Sequence, residues 1–243
     1  IFKSFKDNHN NKDVFNDETW IKNSTINYYR QIKAQAKTKL NSFSPLHYTS
    51  DYNSIFFFLV SVLALNKKVR ILDFGGNVGL NYKLLKKQSV KTFYTILEKE
   101  KICEAGKSMH KNDKDIKFYS TFPHKNSSYD IVYLGSTLQY IDEWKLLLQK
   151  LSLQKPQYIL IADIPTSTSN TFITSQKYYG QEISYIFFNL TELINFMKKN
   201  QYKLINTSIF SPSNPHHSFE KNIDFGSEKI FNDRHTLLFS KYL

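Results

Sequence analysis

The chain is poor in several residue types, and each shortage closes off a class of protein. It has one cysteine, Cys103, in 243 residues, so no intrachain disulfide can form and a reducing compartment, the cytoplasm, is expected. Of its 33 cationic side chains only three are arginine (Arg30, Arg70 and Arg234). Bidentate recognition of phosphates and base edges favours the guanidinium fork, and the lysines that make up the excess are spread along the whole chain. The formal charge of +12 is therefore not read as a nucleic-acid footprint. The longest apolar run, Ile55 to Leu65, is eleven residues, well short of the roughly 20 that span a membrane. It is expected to form a buried helix. Residue 1 is Ile, and nothing near it has the order of a signal peptide.

What is present describes a folded globular protein: 41% hydrophobic and 16% aromatic residues. Residues 1–50 are polar and rich in Asn and Lys, and are expected to form an arm with a helix near Ser24–Leu40. Residues 51–243 are expected to form one α/β domain. A helix over Asp51–Leu65 precedes an alternation of strands and helices. The strands are expected at Val69–Phe74, Thr92–Leu97, Ile116–Ser120, Tyr129–Leu134, Tyr158–Ala162, Tyr202–Phe210 and His235–Ser240. Helices fall at Leu80–Lys87, Glu100–His110, after Asp142 and after Thr191, the last two residues being suited to N-capping. Trp144, Leu147, Leu148 and Leu151 keep the spacing of one buried helical face, and Leu193, Ile194 and Met197 point inward on the next helix. This alternation predicts a mostly parallel seven-stranded sheet with helices on both faces. The last two strands have no clear helix between them, so the final strand is expected to be antiparallel.

The most informative stretch is Asp73-Phe-Gly75-Gly76-Asn77-Val78-Gly79, where an apolar strand runs into a glycine-rich turn and a helix begins at Leu80. Such a turn offers backbone N–H groups and a helix N-terminus to a nucleotide-like ligand. Counted from Gly75, a dinucleotide fingerprint needs glycine at 77 and 80, where this chain has Asn77 and Leu80. The acid and small residues instead fall at every second position: Asp73, Gly75, Asn77 and Gly79. Gly75 and Gly76 permit a tight turn and close approach of a ligand. Asn77 stands in a middle position where left-handed backbone angles are needed, which Asn tolerates well. Glu98 lies 19 residues beyond Gly79, at the end of the second strand, where a carboxylate can accept both ribose hydroxyls.

This pattern resembles the first motif of class I S-adenosylmethionine-dependent methyltransferases, a Rossmann-like family. The resemblance implies S-adenosylmethionine as cofactor, held by Asp73, Gly75, Gly76, Asn77, Gly79 and Glu98. It further implies that Thr121 and Phe122, after the third strand, flank the adenine, and that Gly135 and Ser136, after the fourth, line the surroundings of the sulfonium. A narrower resemblance rests on Phe15-Asn-Asp-Glu-Thr-Trp20, Asp73-Phe-Gly-Gly76, Gly135-Ser-Thr-Leu-Gln-Tyr140, and Ile164-Pro-Thr166 followed by Phe172-Ile-Thr-Ser-Gln176. These segments are similar to an uncharacterised methyltransferase-like family commonly encoded near bacterial surface-polysaccharide genes. That family tends to carry an Arg-Asp pair before the helix preceding the first strand. Here the stretch reads Tyr48-Thr-Ser-Asp51, which keeps the acid and lacks the arginine.

Methyl transfer from a sulfonium is an in-line displacement with an activated leaving group, so positioning supplies much of the acceleration. A base is needed only where the acceptor must lose a proton, as a sugar hydroxyl would. Candidates are Asp163, at the end of the fifth strand, His47 and His124, with Asp51 behind them. Tyr140 and Gln176 are candidates for holding a polyhydroxy acceptor. His216-His217 lacks the companion cysteines and spaced carboxylates of a metal site, and no metal is expected. The leading expectation is thus methyl transfer to a small or carbohydrate-like acceptor, the carbohydrate part by family analogy. A nucleic-acid methyltransferase and a non-catalytic methyltransferase-like scaffold subunit are the alternatives.

Overall fold

The computed structural model describes residues 3–8, 11, 13, 15, 17–37, 53–123, 128–178, 180–210 and 230–242. They fall into two units. One is Val14–His124; the other combines Ile1–Asp13 with Lys125–Leu243.

The first unit runs α1 (Glu18–Lys37), α2 (Ser54–Ala64), β1 (Val69–Phe74), α3 (Leu80–Lys87), β2 (Thr92–Leu97), α4 (Glu100–Met109) and β3 (Ile116–Tyr119). β2 pairs in parallel with β1, from Val69 opposite Thr92 to Phe74 opposite Leu97, and with β3, from Tyr94 opposite Ile116 to Leu97 opposite Tyr119. Parallel neighbours need a crossover, and α3 and α4 supply it. α3 buries Tyr82, Leu84 and Leu85; α4 buries Ile102, Cys103 and Gly106. Gly106 lets α4 come close to β3, since a Cβ there would stand 2.3 Å from the Phe118 ring. Cys103 is a buried free thiol. The apolar run expected to be a buried helix is α2, but only Phe56, Phe57 and Val60 turn inward. Phe58, Val62 and Leu65 repeat at four- and three-residue spacing on its exposed side.

The second unit contains β4 (Ile131–Gly135), a 3-10 turn (Leu138–Tyr140), α5 (Trp144–Ser152), β5 (Tyr158–Ser167), β6 (Phe172–Tyr178), β7 (Gln181–Asn189), α6 (Leu190–Lys199), β8 (Tyr202–Phe210) and β9 (Ile230–Lys241). β5 organises it. β5 lies parallel to β4, from Ile131 opposite Tyr158 to Gly135 opposite Ala162, and antiparallel to β9 on its other side. β9 in turn pairs antiparallel with β8. The antiparallel final strand is as the sequence predicts. β5 is ten residues long, and its last two, Thr166 and Ser167, pair in parallel with Phe188 and Asn189 of β7. Val132, Leu134, Ile159, Leu160, Ile161, Leu148, Leu151, Leu193, Met197 and Phe239 are buried in this unit.

Nine strands are present among the described residues, where seven are expected. The additional two are the antiparallel β6–β7 hairpin, which runs from Phe172 opposite Phe187 to Tyr178 opposite Gln181. Its first strand carries Thr174, Ser175 and Gln176 and so looks like loop. Its second, however, buries every residue from Ile183 to Phe188. Such a continuous buried run belongs to a central strand and carries no alternation to read.

Two expected helix caps also differ. Asp142 does not cap α5; its carboxylate accepts from the Phe5 backbone N–H at 3.3 Å. Thr191 lies within the first turn of α6, and Asn189 is the cap, its Oδ1 accepting from the Glu192 N–H at 2.9 Å. The expected inner face of α5 is confirmed, with Trp144, Leu147, Leu148 and Leu151 all buried.

Candidate functional site

In the first unit the turn after β1 has the geometry its composition requires. Gly75 (φ 74°), Asn77 (φ 53°) and Gly79 (φ 88°) are all in the left-handed region. Two glycines meet that demand without a Cβ, and Asn77 meets it with a side chain tied down on both sides. Its Nδ2 donates to Ser24 Oγ at 2.9 Å, and its Oδ1 accepts from the Val78 N–H at 2.7 Å. Gly76 is needed for another reason: a Cβ there would lie 2.6 Å from Asp73 Cγ, so the turn folds directly over that carboxylate.

Asp73 is almost fully buried. The Tyr94 hydroxyl donates to its Oδ2 at 2.5 Å, and Asn81 at the start of α3 also hydrogen-bonds to it. Burial pushes its pKa up to about 7; the bonds from Tyr94 and Asn81 oppose the rise, and the negative charge of Glu98 adds to it. Glu98 and Asp73 thus sense one another electrostatically across adjacent strand ends. The backbone makes this juxtaposition: the Gly75 N–H donates to the Leu97 carbonyl at 3.0 Å, and the Glu98 N–H to the Tyr119 carbonyl at 3.0 Å. Glycine turn, Glu98 and the segment after β3 therefore follow one another along a single sheet edge, where open α/β sheets bind ligands. Glu98 is half-buried, and its Oε2 accepts from the Lys99 N–H at 2.8 Å. Thr121 is exposed and Phe122 half-buried.

The second unit holds the remaining candidates. Gly135 ends β4, and a Cβ there would meet the Tyr133 hydroxyl at 2.5 Å. Ser136 has φ 53°, donates its N–H to the Ala162 carbonyl at 2.9 Å, and accepts through Oγ from Gln139 Nε2 at 3.1 Å. Tyr140 and Gln176, 36 residues apart, are brought together: Gln176 Nε2 donates to the Tyr140 hydroxyl at 2.9 Å. The Tyr140 ring meets that of Tyr185 edge-on, with centroids 5.4 Å apart. Burial drives the Tyr140 phenol far above its ordinary range, with Tyr185 adding and the Gln176 bond opposing, so it is a neutral hydroxyl at any physiological pH.

Asp163 lies within β5, where the pairing with β9 shifts register between Ile161 and Ile164. Its φ of 59° marks the bulge. Both carboxylate oxygens accept from Arg234 Nη1, at 3.0 and 3.1 Å, and both residues are buried. Tyr185, Asp163 and Tyr140 together raise the Arg234 pKa against the opposing effect of burial, so the guanidinium stays charged.

The sequence reading missed Tyr94, Asn81, Ser24 and Arg234. The last left a trace, as one of the chain's only three arginines, and it lies within β9. His47, Asp51, His124 and His216-His217 lie outside the described residues. Among the described residues no three of His, Cys, Asp and Glu gather as a metal site would need, and no helix is long and apolar enough to cross a membrane.

No family model matches the chain, and no curated protein does. Solved structures do. The 1,6-didemethyltoxoflavin-N1-methyltransferase of Burkholderia thailandensis, with 1,6-didemethyltoxoflavin and S-adenosylhomocysteine bound, superposes at a TM-score of 0.52 with 11% identity, over 91% of this chain and 86% of its own. Magnesium protoporphyrin IX methyltransferase from Synechocystis PCC 6803, with bound S-adenosylhomocysteine, gives 0.51 and 11% over 95% and 97%. The N-terminal domain of EvdMO1, in the presence of S-adenosylhomocysteine and D-fucose, gives 0.53 and 10% over 88% and 97%. The fold is a methyltransferase-like Rossmann fold.

Proposed function

We propose that this chain transfers a methyl group from S-adenosylmethionine to a small or carbohydrate-like acceptor. The observation that carries the reading is the turn after β1, with Gly75, Asn77 and Gly79 all at positive φ and the half-buried Glu98 on the neighbouring strand end. The residues fit the cofactor. Gly76 lets the turn close over Asp73, whose carboxyl carbon lies 2.6 Å from where a Cβ would stand, and an ionised Asp73 suits the ammonium end of the ligand. Glu98 accepts the ribose hydroxyls, and Thr121 and Phe122 flank the adenine. Bound S-adenosylmethionine would supply an already activated methyl group, which leaves to the protein the tasks of holding and orienting.

On this reading residues 51–243 carry the methyltransferase-like domain and 1–50 the arm. The joined pair Tyr140 and Gln176 offers neutral donors and acceptors to an uncharged polyhydroxy acceptor. D-fucose beside one structural neighbour is in keeping with a sugar, and the motif resemblance with a role in surface-polysaccharide synthesis in the cytoplasm. Asp163 is already engaged by Arg234 at both oxygens, which leaves His47 and His124 as the remaining candidates where an acceptor must lose a proton.

Calorimetric titration with S-adenosylmethionine, S-adenosylhomocysteine and NAD tests the reading. Micromolar binding of S-adenosylhomocysteine, abolished by Gly75→Val or Glu98→Ala, is expected. Binding of NAD alone would overturn it.

A further inference from the structure

Helix α1 stands about fifty residues upstream of the glycine turn, yet it hydrogen-bonds to one turn residue and packs against the next. Ser24 and Tyr28 lie four apart, on one face of α1. Ser24 is buried and accepts from Asn77 Nδ2 at 2.9 Å. Tyr28 is buried and packs in a cluster with Val78 of the turn and Ile102 of α4, joined by Trp20, Ile21, Ile32, Leu80, Ala105 and Met109. His110, immediately after α4, completes the arrangement. Its Nε2 bonds to the Val78 carbonyl at 2.9 Å, and its ring meets Tyr28 edge-on at 5.7 Å and Tyr82 at 5.6 Å. Consecutive turn residues, Asn77 and Val78, are therefore gripped from outside the sheet, one by a side-chain amide and the other by its side chain and carbonyl.

We infer that α1 is a working part of the cofactor site: through Ser24 it holds Asn77 in the left-handed conformation the turn needs, and so sets cofactor affinity from outside the binding edge. The inference rests on the proposed methyl-donor reading. Its physical basis is preorganisation. A glycine at 77 would reach φ 53° freely and leave it as freely, whereas Asn77 is a strained residue whose amide is pinned at both ends. A turn already in its binding shape loses less on taking up ligand. Ser24 and Tyr28 are then positioning residues, since they act through Asn77 and Val78.

The test is a double-mutant cycle read as Kd for S-adenosylhomocysteine, with the thermal midpoint of the ligand-free protein measured in parallel. Ser24→Ala is expected to weaken binding roughly five-fold, the scale of one lost hydrogen bond. Ser24→Thr keeps the hydroxyl and should restore affinity to near wild type. In an Asn77→Gly background the amide is gone, and Ser24→Ala should then change Kd by less than about two-fold. A purely structural serine would shift the midpoint without this dependence on residue 77. Wild-type affinity in Ser24→Ala overturns the inference, and so does an equal loss in both backgrounds. If the wild-type chain binds no S-adenosylhomocysteine at all, the methyl-donor reading falls and the inference with it.

Discussion

The hydroxyl of Tyr94 on β2 donates a 2.5 Å hydrogen bond to Asp73 on β1, beneath a turn whose Gly76 leaves no room for a side chain over that carboxylate. A carboxyl group is thus buried and partly satisfied at the point where the proposed ligand enters. Its folded pKa of about 7 lies above the ordinary value of 3.8. The group therefore stabilises the fold fully below about pH 4, and that contribution is lost as pH rises through 7.

The first prediction follows from this sign. Asp73→Asn removes the titration and retains an acceptor for Tyr94. The difference in thermal midpoint, variant minus wild type, should grow between pH 4 and 7 and level off above, with the variant the more stable at pH 7.5. Wild-type affinity for S-adenosylhomocysteine should rise between pH 6 and 8 as the carboxylate ionises, and that of the variant should be weak and flat. A midpoint difference independent of pH would contradict the buried-acid account.

Arg234 and Asp163 are both buried and bonded to each other. Arg234→Met leaves an unpaired buried carboxylate and should destabilise by about 3–5 kcal/mol in urea unfolding. The double variant Asp163→Gly with Arg234→Met should recover much of this loss. Glycine also relieves the left-handed strain at φ 59°.

Tyr140→Phe removes the acceptor of the Gln176 amide and should cost about 1 kcal/mol. Combining it with Gln176→Leu should cost less than the sum of the single changes, by about 1 kcal/mol in a urea-unfolding cycle. Additive losses would mean that the bond contributes nothing.

Asn189→Ala deletes the α6 cap and should lower stability by about 1 kcal/mol, while Thr191→Ala should change it by less than half as much. The two measured side by side in urea check which residue caps the helix.

The order of strands and helices through β5, the glycine turn and Glu98 were legible because each is a local pattern: an apolar run, a spacing of small residues, an acid at a strand end. Asn77 is the clearest instance. Its tolerance of left-handed angles is intrinsic to the residue, and φ 53° follows. The β6–β7 hairpin was not legible, because the Thr174-Ser-Gln176 stretch of β6 reads as polar loop and becomes a strand through its pairing with Tyr185, Ser184 and Ile183 of β7.

What the sequence determined by itself is chemistry carried along one continuous stretch of backbone: the turn's conformation, the faces of α5, and the acid after β2. Tertiary structure decided what each polar side chain meets. Ser24 reaches Asn77 across 53 positions, Gln176 reaches Tyr140 across 36, and Arg234 reaches Asp163 across 71. Such pairs depend on which strands and helices become neighbours, and a hydrogen bond a few ångströms long leaves no periodicity in the sequence by which to foresee it.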